Sequence, residues 1–151
     1  MLRRKKDPHR FLTPREREEI VHSIRAAEHE TSGEIRVHLD RHCPGDPLEK
    51  GKLLFSHLGM DRTARRNGVL IYLAVYDRKI AILGDEEIHR LVPENFWEDV
   101  LAGMRERFAR REFCAGLTWG IEQIGHKLKE VFPWSPTDKD ELPDAISTED
   151  T

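Results

Sequence analysis

The stretch VLIYLAVY, from Val69 to Tyr76, decides the fold. It is too uniformly apolar for a strand with one face in water, so it predicts a central β-strand covered on both faces. Asp77-Arg78 then predicts a tight turn, and Lys79 to Leu83 returns as a second, antiparallel strand. We therefore expect a buried hairpin over residues 69–84 to form the centre of the sheet.

The segments around the hairpin predict the remaining layers. Apolar and polar residues alternate from Glu34 to Leu39, which is typical of a half-buried strand. A capping box at Thr13-Pro14-Arg15-Glu16 begins a helix before this strand, and a helix over 48–58 makes the crossover to a parallel second strand. Apolar stripes beginning at Trp97 and at Phe113 predict two later helices. The fold class is α/β: a three-layer α/β/α sandwich with a small mixed sheet and helices on both faces.

Length and composition suit one domain with two polar ends. The chain has 151 residues, of which 38% are hydrophobic, enough for a single core. We expect residues 1–10 to be a basic disordered N-terminus and 11–134 to be the α/β domain. Residues 135–151 carry six acids against one lysine, which predicts an acidic disordered tail.

Several classes of protein are disfavoured by the sequence. The longest apolar run is far shorter than the roughly 20 residues of a membrane-spanning helix. No apolar stretch follows the basic N-terminus, so it is not a signal peptide, and we expect a cytoplasmic protein. The net charge of -3, without an aromatic stacking platform, argues against a nucleic-acid partner. We expect a soluble monomer with reduced cysteines.

The predicted topology gathers oxygen ligands at one end of the sheet. The first two strands run in parallel and the third runs back, so the residues before strands one and two meet those after strand three. Carboxylates, a side-chain amide and backbone carbonyls are hard ligands that suit calcium or magnesium. Ordinary strand-end and turn chemistry is the alternative interpretation. The residues concerned are Glu34, Asp61, Asn67, Asp85 and Glu86.

The opposite end gathers a second group, comprising Asp40, His42, Cys43 and Asp77-Arg78. Ligand sites in open α/β sheets favour the carboxyl ends of parallel strands, which is this end. Adjacent His42 and Cys43 cannot easily hold one zinc ion together, so a surface loop is the favoured interpretation. The chain contains no nucleophile-elbow, zinc-protease, dithiol or dinucleotide motif.

Several short motifs, in their order and spacing, resemble the TPM domain family. They are TSGEIRV at Thr31–Val37, NGVLIYL at Asn67–Leu73, Asp77-Arg78 and Gly84. The similarity spans residues 11–132 and is nearest to stand-alone cytoplasmic bacterial members of this family, which includes a plant thylakoid-lumen acid phosphatase. The resemblance implies an α/β/α sandwich, calcium binding and, in some members, a slow acid phosphatase activity.

The resemblance also bears on single residues. Carried over by position, Glu34, Asn67, Asp77 and Gly84 lie in family motifs, and three of the four fall at the oxygen-ligand end. The chain departs from the family at Arg66, where members often carry asparagine. This guanidinium would repel a cation, whereas the carboxylates after Gly84 would attract one.

Two functions follow from the residues and the resemblance together. The first is a non-catalytic module that binds calcium, or alternatively magnesium, and a protein partner. The second is a metal-assisted acid phosphatase acting on phosphomonoesters, with Asp77 or Asp85 as nucleophile and Arg78 or Arg66 clamping phosphate. Because no nucleophile motif is present, we expect the non-catalytic function.

Overall fold

The structure, a computed structural model, describes residues 11–135 and 146–148. Within these ranges a short 3₁₀ turn at Met60–Arg62 precedes the second strand. The helices are α1 (Pro14–Glu28), α2 (Pro47–His57), α3 (Glu86–Leu91), α4 (Glu94–Ala109) and α5 (Phe113–Val131). The strands are β1 (Glu34–Asp40), β2 (Gly68–Ala74), β3 (Lys79–Gly84) and β4 (Ile146–Thr148).

The strands form one mixed sheet in the order β3-β2-β1-β4. β1 and β2 are parallel, in a register that pairs Glu34 with Gly68 and Asp40 with Ala74. β3 returns antiparallel to β2. The predicted hairpin and crossover are confirmed, but only β2 is central, since β3 is an edge strand of the sheet.

Alternate residues of β2 pack on opposite faces of the sheet. Val69, Ile71 and Leu73 enter the larger core, which lies against α1, α4 and α5. Leu70 enters a smaller core under α2, together with Phe55 and others. Every residue of β2 is buried, as the uniform apolar run predicts. The sheet is therefore covered on both faces, and the expected three-layer α/β sandwich is confirmed.

The predicted start of the first helix is also confirmed. The backbone N–H of Glu16 donates to Oγ1 of Thr13 at 3.1 Å, and the N–H of Thr13 donates to Oε1 of Glu16 at 3.0 Å. This reciprocal capping box satisfies two donors that the first turn leaves without partners. Among the described residues, no helix is long and apolar enough to cross a membrane.

The prediction of a half-buried β1 is wrong. Ile35, Val37 and Leu39 enter the larger core, but the alternate polar residues are buried as well. The physical reason is that β1 is an interior strand, with β2 on one edge and β4 on the other. The alternation of apolar and polar residues shows which residues share a face of the strand, but it does not show whether the polar face is exposed. In β1 the polar face is buried as well.

The prediction of a disordered tail over 135–151 is wrong for three residues. Ile146–Thr148 form β4, which pairs in parallel with Val37, His38 and Leu39. The order arises because Ile146 enters the larger core and the β1 backbone offers an open edge. Residues 136–145 and 149–151, together with the expected N-terminal segment 1–10, lie outside the described residues.

Candidate functional site

The oxygen-ligand end of the sheet is assembled as the topology predicts. The backbone N–H of Glu34 donates to the carbonyl of Asn67 at 3.4 Å, and the N–H of Asp85 donates to the carbonyl of Gly68 at 3.0 Å. These bonds join the beginnings of β1 and β2 to the end of β3. Glu34, Asn67 and Asp85, which are distant in sequence, therefore share one end of the sheet.

Asn67 is the most enclosed polar residue at this end, with 1% of its surface exposed. Its Nδ2 donates to Oγ of Ser32 at 3.2 Å, and its backbone N–H donates to Oγ1 of Thr63 at 3.3 Å. Its Oδ1 is buried and has no hydrogen-bond partner among the described residues. A buried acceptor without a donor costs about 1–3 kcal/mol. A donor or a cation beside this oxygen would remove that cost.

Asp85 is held by an arginine. Nε and Nη2 of Arg66 donate to its two carboxylate oxygens at 2.9 and 3.0 Å. Oδ1 of Asp85 also accepts from the N–H of Glu86 at 2.7 Å and so caps α3. The hydrogen bond to Asp85 raises the pKa of Arg66 above its ordinary value. The guanidinium of Arg66 is thus the positive partner of this carboxylate in the structure.

The two remaining predicted ligands lie further out. Glu86 has 73% of its side chain exposed, and its Oε1 lies 3.7 Å from Nη2 of Arg66. Asp61 accepts a hydrogen bond from Oγ of Ser56 at 3.2 Å. In residues 11–135 and 146–148, no three His, Cys, Asp or Glu side chains are grouped so as to hold a metal ion. The fold brings the predicted ligands to one end without forming a carboxylate cluster.

Residues of the second predicted group, at the opposite end of the sheet, also come together. Their hydrogen bonds hold the loop between β1 and α2 in place. Nδ1 of His42 lies 3.0 Å from Oδ1 of Asp77, and the N–H of Cys43 donates to Oδ2 at 2.7 Å. These two hydrogen bonds hold the pKa of Asp77 below its usual value. Lys79 donates to the carbonyls of Cys43 and Gly45, both at 2.7 Å. Asp77 therefore anchors the β1–α2 loop to the hairpin turn.

A buried polar network beside this loop was not predicted as a unit. Asp40 accepts from the hydroxyl of Tyr72 at 2.9 Å, and its other oxygen lies 2.7 Å from Nε2 of His38. Nδ1 of His38 lies 2.8 Å from Oγ of Ser147. The network links side chains of β2, β1 and β4 across one face of the sheet. The sequence signal was the polar set Asp40 and His38, but their partner Ser147 lies in the expected tail.

Electrostatics favour the charged form of Asp40 and the neutral form of Tyr72. Burial alone would raise the pKa of Asp40, but the hydrogen bond and charge of His38, with the hydroxyl of Tyr72, hold it below its usual value. Burial, and then the hydrogen bond to Asp40, raise the pKa of Tyr72 far above the ordinary value. Asp40 is thus a carboxylate and Tyr72 a neutral phenol at physiological pH.

The order Ser147–His38–Asp40 matches that of a nucleophile, a base and an orienting carboxylate. Ser147 is only 1% exposed, however, and it does not line the adjoining pocket. A nucleophile must reach its substrate. The hydrogen bonds therefore attach β4 to β1 in this structure.

A pocket of about 510 Å³ opens beside the network, between the end of β1 and α2. It is lined by His38 and Asp40, whose polar atoms bond within the network. Basic and apolar side chains of α2 line it as well, together with Thr148 of β4. The remaining lining residues are His42, Lys50, Leu53, Leu54, His57 and Leu58.

Comparison with known proteins agrees with this architecture. The protein BA42 of the psychrophilic bacterium Bizionia argentinensis, solved by NMR, is 42% identical over 95% of this chain and 99% of its own, with a TM-score of 0.88. The N-terminal domain of cg2496 from Corynebacterium glutamicum has a TM-score of 0.57 over 87% of this chain and 80% of its own. At 13% identity, that second likeness shows the fold alone.

The family assignment comes from the sequence as a whole. No curated protein matches this chain significantly. The profile of the TPM domain, however, matches residues 5–127, which include α1 to α4, most of α5 and the first three strands. This chain belongs to the TPM domain family.

Proposed function

We propose that this chain is a non-catalytic TPM-domain module that binds a divalent cation, calcium by preference, and a protein partner. The single observation that carries the metal half is the buried Oδ1 of Asn67, which lacks a hydrogen-bond donor among the described residues. It lies at the end of the sheet that also bears Glu34 and Asp85. Amide and carboxylate oxygens are ligands that calcium prefers, and calcium tolerates irregular geometry better than magnesium.

In this proposal, Arg66 competes with the cation for the carboxylate of Asp85. A cation that takes Asp85 as a ligand must displace two charge-assisted hydrogen bonds from the guanidinium. Arg66 is 40% exposed, so it can swing into water when calcium arrives. We therefore expect weak calcium binding, in which Asp85 and Glu86 exchange one positive partner for another.

A calcium titration followed by amide NMR shifts tests the metal half. We expect shifts at Glu34, Asn67 and Asp85 in the native chain, and at least tenfold tighter binding in Arg66→Asn, because the competing charge is gone. Arg90→Asn is the matched control. Arg90 also pairs with a carboxylate, Glu87 of α3, and neither residue is among the predicted ligands.

The possible results separate clearly. Tighter binding in Arg66→Asn with no change in Arg90→Asn supports the site. Unmoved amides at Glu34, Asn67 and Asp85 in millimolar calcium, in both the native chain and Arg66→Asn, would show that the metal half is wrong. A magnesium titration alongside distinguishes a calcium site from a general divalent site.

The contacts of the candidate nucleophiles favour this function over the phosphatase alternative. Both oxygens of Asp77 accept hydrogen bonds, and both oxygens of Asp85 face Arg66. A carboxylate nucleophile needs a free oxygen aimed at phosphorus. A phosphomonoester assay on the native chain, Asp77→Asn and Asp85→Asn decides the matter. A metal-dependent rate that falls in either variant would establish the phosphatase, whereas equal rates in all three indicate a contaminating enzyme.

A further inference from the structure

Arg36 of β1 carries a buried guanidinium. The residue is 7% exposed, and its Nε is enclosed without a hydrogen-bond partner among the described residues. Burial lowers the pKa of Arg36, and no carboxylate in residues 11–135 and 146–148, Glu34 included, offsets that shift. Arginine keeps its proton in proteins, and a buried charge is costly unless it is paired. An anion beside this guanidinium would remove that cost.

The position of Arg36 places it beside the pocket between β1 and α2. Alternate residues of a strand share a face, so Arg36 lies on the same face of β1 as His38 and Asp40, which line the pocket. His38 is two residues further on, about 6.5 Å along the strand. Across the sheet Arg36 pairs with Leu70, which belongs to the smaller core. Leu58 packs against that core and also lines the pocket, so it marks the end of the pocket nearest Arg36.

The charges around the pocket leave one positive charge unbalanced. Lys50 lines the pocket near Asp40 and acts on it through its charge. Both oxygens of Asp40 are engaged by His38 and Tyr72, so the ammonium of Lys50 balances this carboxylate without a direct bond. With histidine counted as neutral, the guanidinium of Arg36 is the charge that remains. A single negative charge would balance it.

The rest of the pocket suits the apolar body of a small molecule. Its volume of about 510 Å³ falls within the range of small-molecule sites, and it lies at the carboxyl end of β1, where open α/β sheets bind ligands. Leucines of α2 and its C-cap line it, and Leu53 among them is 72% exposed. The leucines are Leu53, Leu54 and Leu58.

The same features distinguish a carboxylate from a doubly charged phosphate. A guanidinium and a carboxylate are both planar, and they pair through two parallel hydrogen bonds. Asp40 is itself an anion in the lining, and it would repel a dianion more strongly than a monoanion.

We propose that this pocket binds a small monocarboxylate with an apolar body. Arg36 holds the head group, Lys50 attracts it across the pocket, and the body packs on the leucines of α2. The site lies at the end of the sheet opposite to Asn67, and the inference does not rest on the calcium proposal.

Octanoate is the probe for this site, and amide NMR shifts of the full chain follow its binding. We expect saturable shifts at Arg36, His38, Lys50 and Leu54. Acetate has the same head group without the body, and octylammonium has the same body with the opposite charge. Both should bind at least tenfold more weakly than octanoate.

Arg36→Met separates a binding role from a structural one. Octanoate should bind this variant at least tenfold more weakly, because the head group loses its partner. The Tm of the ligand-free chain should rise, because a flexible apolar side chain replaces a buried charge that has no partner. Arg110→Met is the matched control and should leave octanoate affinity unchanged, since Arg110 is exposed and pairs with Glu106.

Lysine variants test the charge across the pocket. Lys50→Ala should weaken octanoate several-fold and reduce the dependence of binding on salt. Lys52→Ala should do neither, since Lys52 is exposed on the same helix, outside the pocket, and pairs with Glu49.

Several results would overturn the proposal. Unmoved amides at His38, Lys50 and Leu54 in millimolar octanoate would exclude the site, and undiminished binding to Arg36→Met would exclude its anchor. A lower Tm for Arg36→Met would show that the guanidinium is structural. Equal losses for Lys50→Ala and Lys52→Ala, or equal binding of octylammonium, would show that charge does not select the ligand. Tighter binding of octyl phosphate would exclude the choice of a carboxylate. Metal-free buffer keeps every result independent of calcium.

Discussion

The buried hydroxyl of Tyr72 makes the stability of the fold depend on pH. Its ring is fully enclosed, and its hydroxyl donates to Asp40. In the sequence it is one more member of an apolar run, and nothing marks its hydroxyl as a partner of a carboxylate on another strand. The contact exists because β1 and β2 align His38 with Tyr72 and place Asp40 two residues further along β1.

Tyr72→Phe should change stability in two ways. At neutral pH we expect a loss of about 1–3 kcal/mol, because Oδ2 of Asp40 loses its donor while buried. The folded state keeps the phenol neutral, so the raised pKa contributes its full stability below about pH 10. Above that pH the unfolded state releases the proton, and native stability falls by up to about 1.4 kcal/mol per pH unit. Tyr72→Phe removes this slope.

Urea unfolding of both proteins between pH 8 and pH 11 measures the effect. Tyr76→Phe is the control, because Tyr76 is the neighbouring tyrosine and is 37% exposed. Tyr76→Phe should leave the fall of native stability above about pH 10 unchanged. If Tyr72→Phe keeps the same slope as the native chain, the phenol does not govern alkaline unfolding.

At the residue scale, the sequence predicts which groups meet but not how they bond. Glu34, Asn67 and Asp85 come together because strand order and direction alone determine their positions. The two hydrogen bonds from Arg66 to Asp85 depend on local conformation, since Arg66 has a φ of 51° and Asp85 caps α3. No spacing rule encodes that geometry. The metal ligands remain a prediction.

At the scale of elements, the long and strongly patterned segments were predictable and the short ones were not. β2 is a long apolar run bounded by turn residues, and α5 carries a long apolar stripe at helical spacing. α3 has six residues and β4 has three, with one strongly apolar residue in β4. Such segments form because tertiary neighbours offer a cap or an open edge, which a local pattern does not reveal.

The contact between α4 and α5 gives a prediction at this scale. A Cβ at Gly103 would overlap the ring of Trp119, and one at Gly120 would overlap the side chain of Met104. Arg107 lies 4.2 Å over the Trp119 ring and donates to the carbonyl of Gly103 at 3.0 Å, so this ring is confined. Met104 has a flexible thioether that can move aside.

We therefore expect opposite outcomes from two alanine substitutions. Alanine favours a helix over glycine by about 1 kcal/mol, and overpacking costs about 1–3 kcal/mol. Gly103→Ala should destabilise the chain by about 1 kcal/mol, while Gly120→Ala should be near neutral. Thermal and urea unfolding measure both. Equal effects would mean that the rigidity of the neighbour does not decide the cost.

At the scale of the whole molecule, the stability is unevenly distributed. β1 and β2 are buried between two cores, whereas β4 rests on one edge. Ordering the backbone of its three residues costs about 3–6 kcal/mol. Burial of Ile146 returns about 1.5–3 kcal/mol, and each hydrogen bond adds about 0.5–1.5 kcal/mol. The sum is close to zero, so β4 should detach without unfolding the domain.

Native-state hydrogen exchange tests this uneven distribution. Amides of β2 should exchange through global unfolding, and their protection should follow denaturant as the whole chain does. Amides of Ile146–Thr148 should exchange through a local opening that denaturant barely affects. Ile146→Asp should abolish protection in β4 and change protection in β2 by less than about 1 kcal/mol, since the body of the core does not depend on the strand. Equal protection of β4 and β2 would instead mean that the segment is an integral part of the fold.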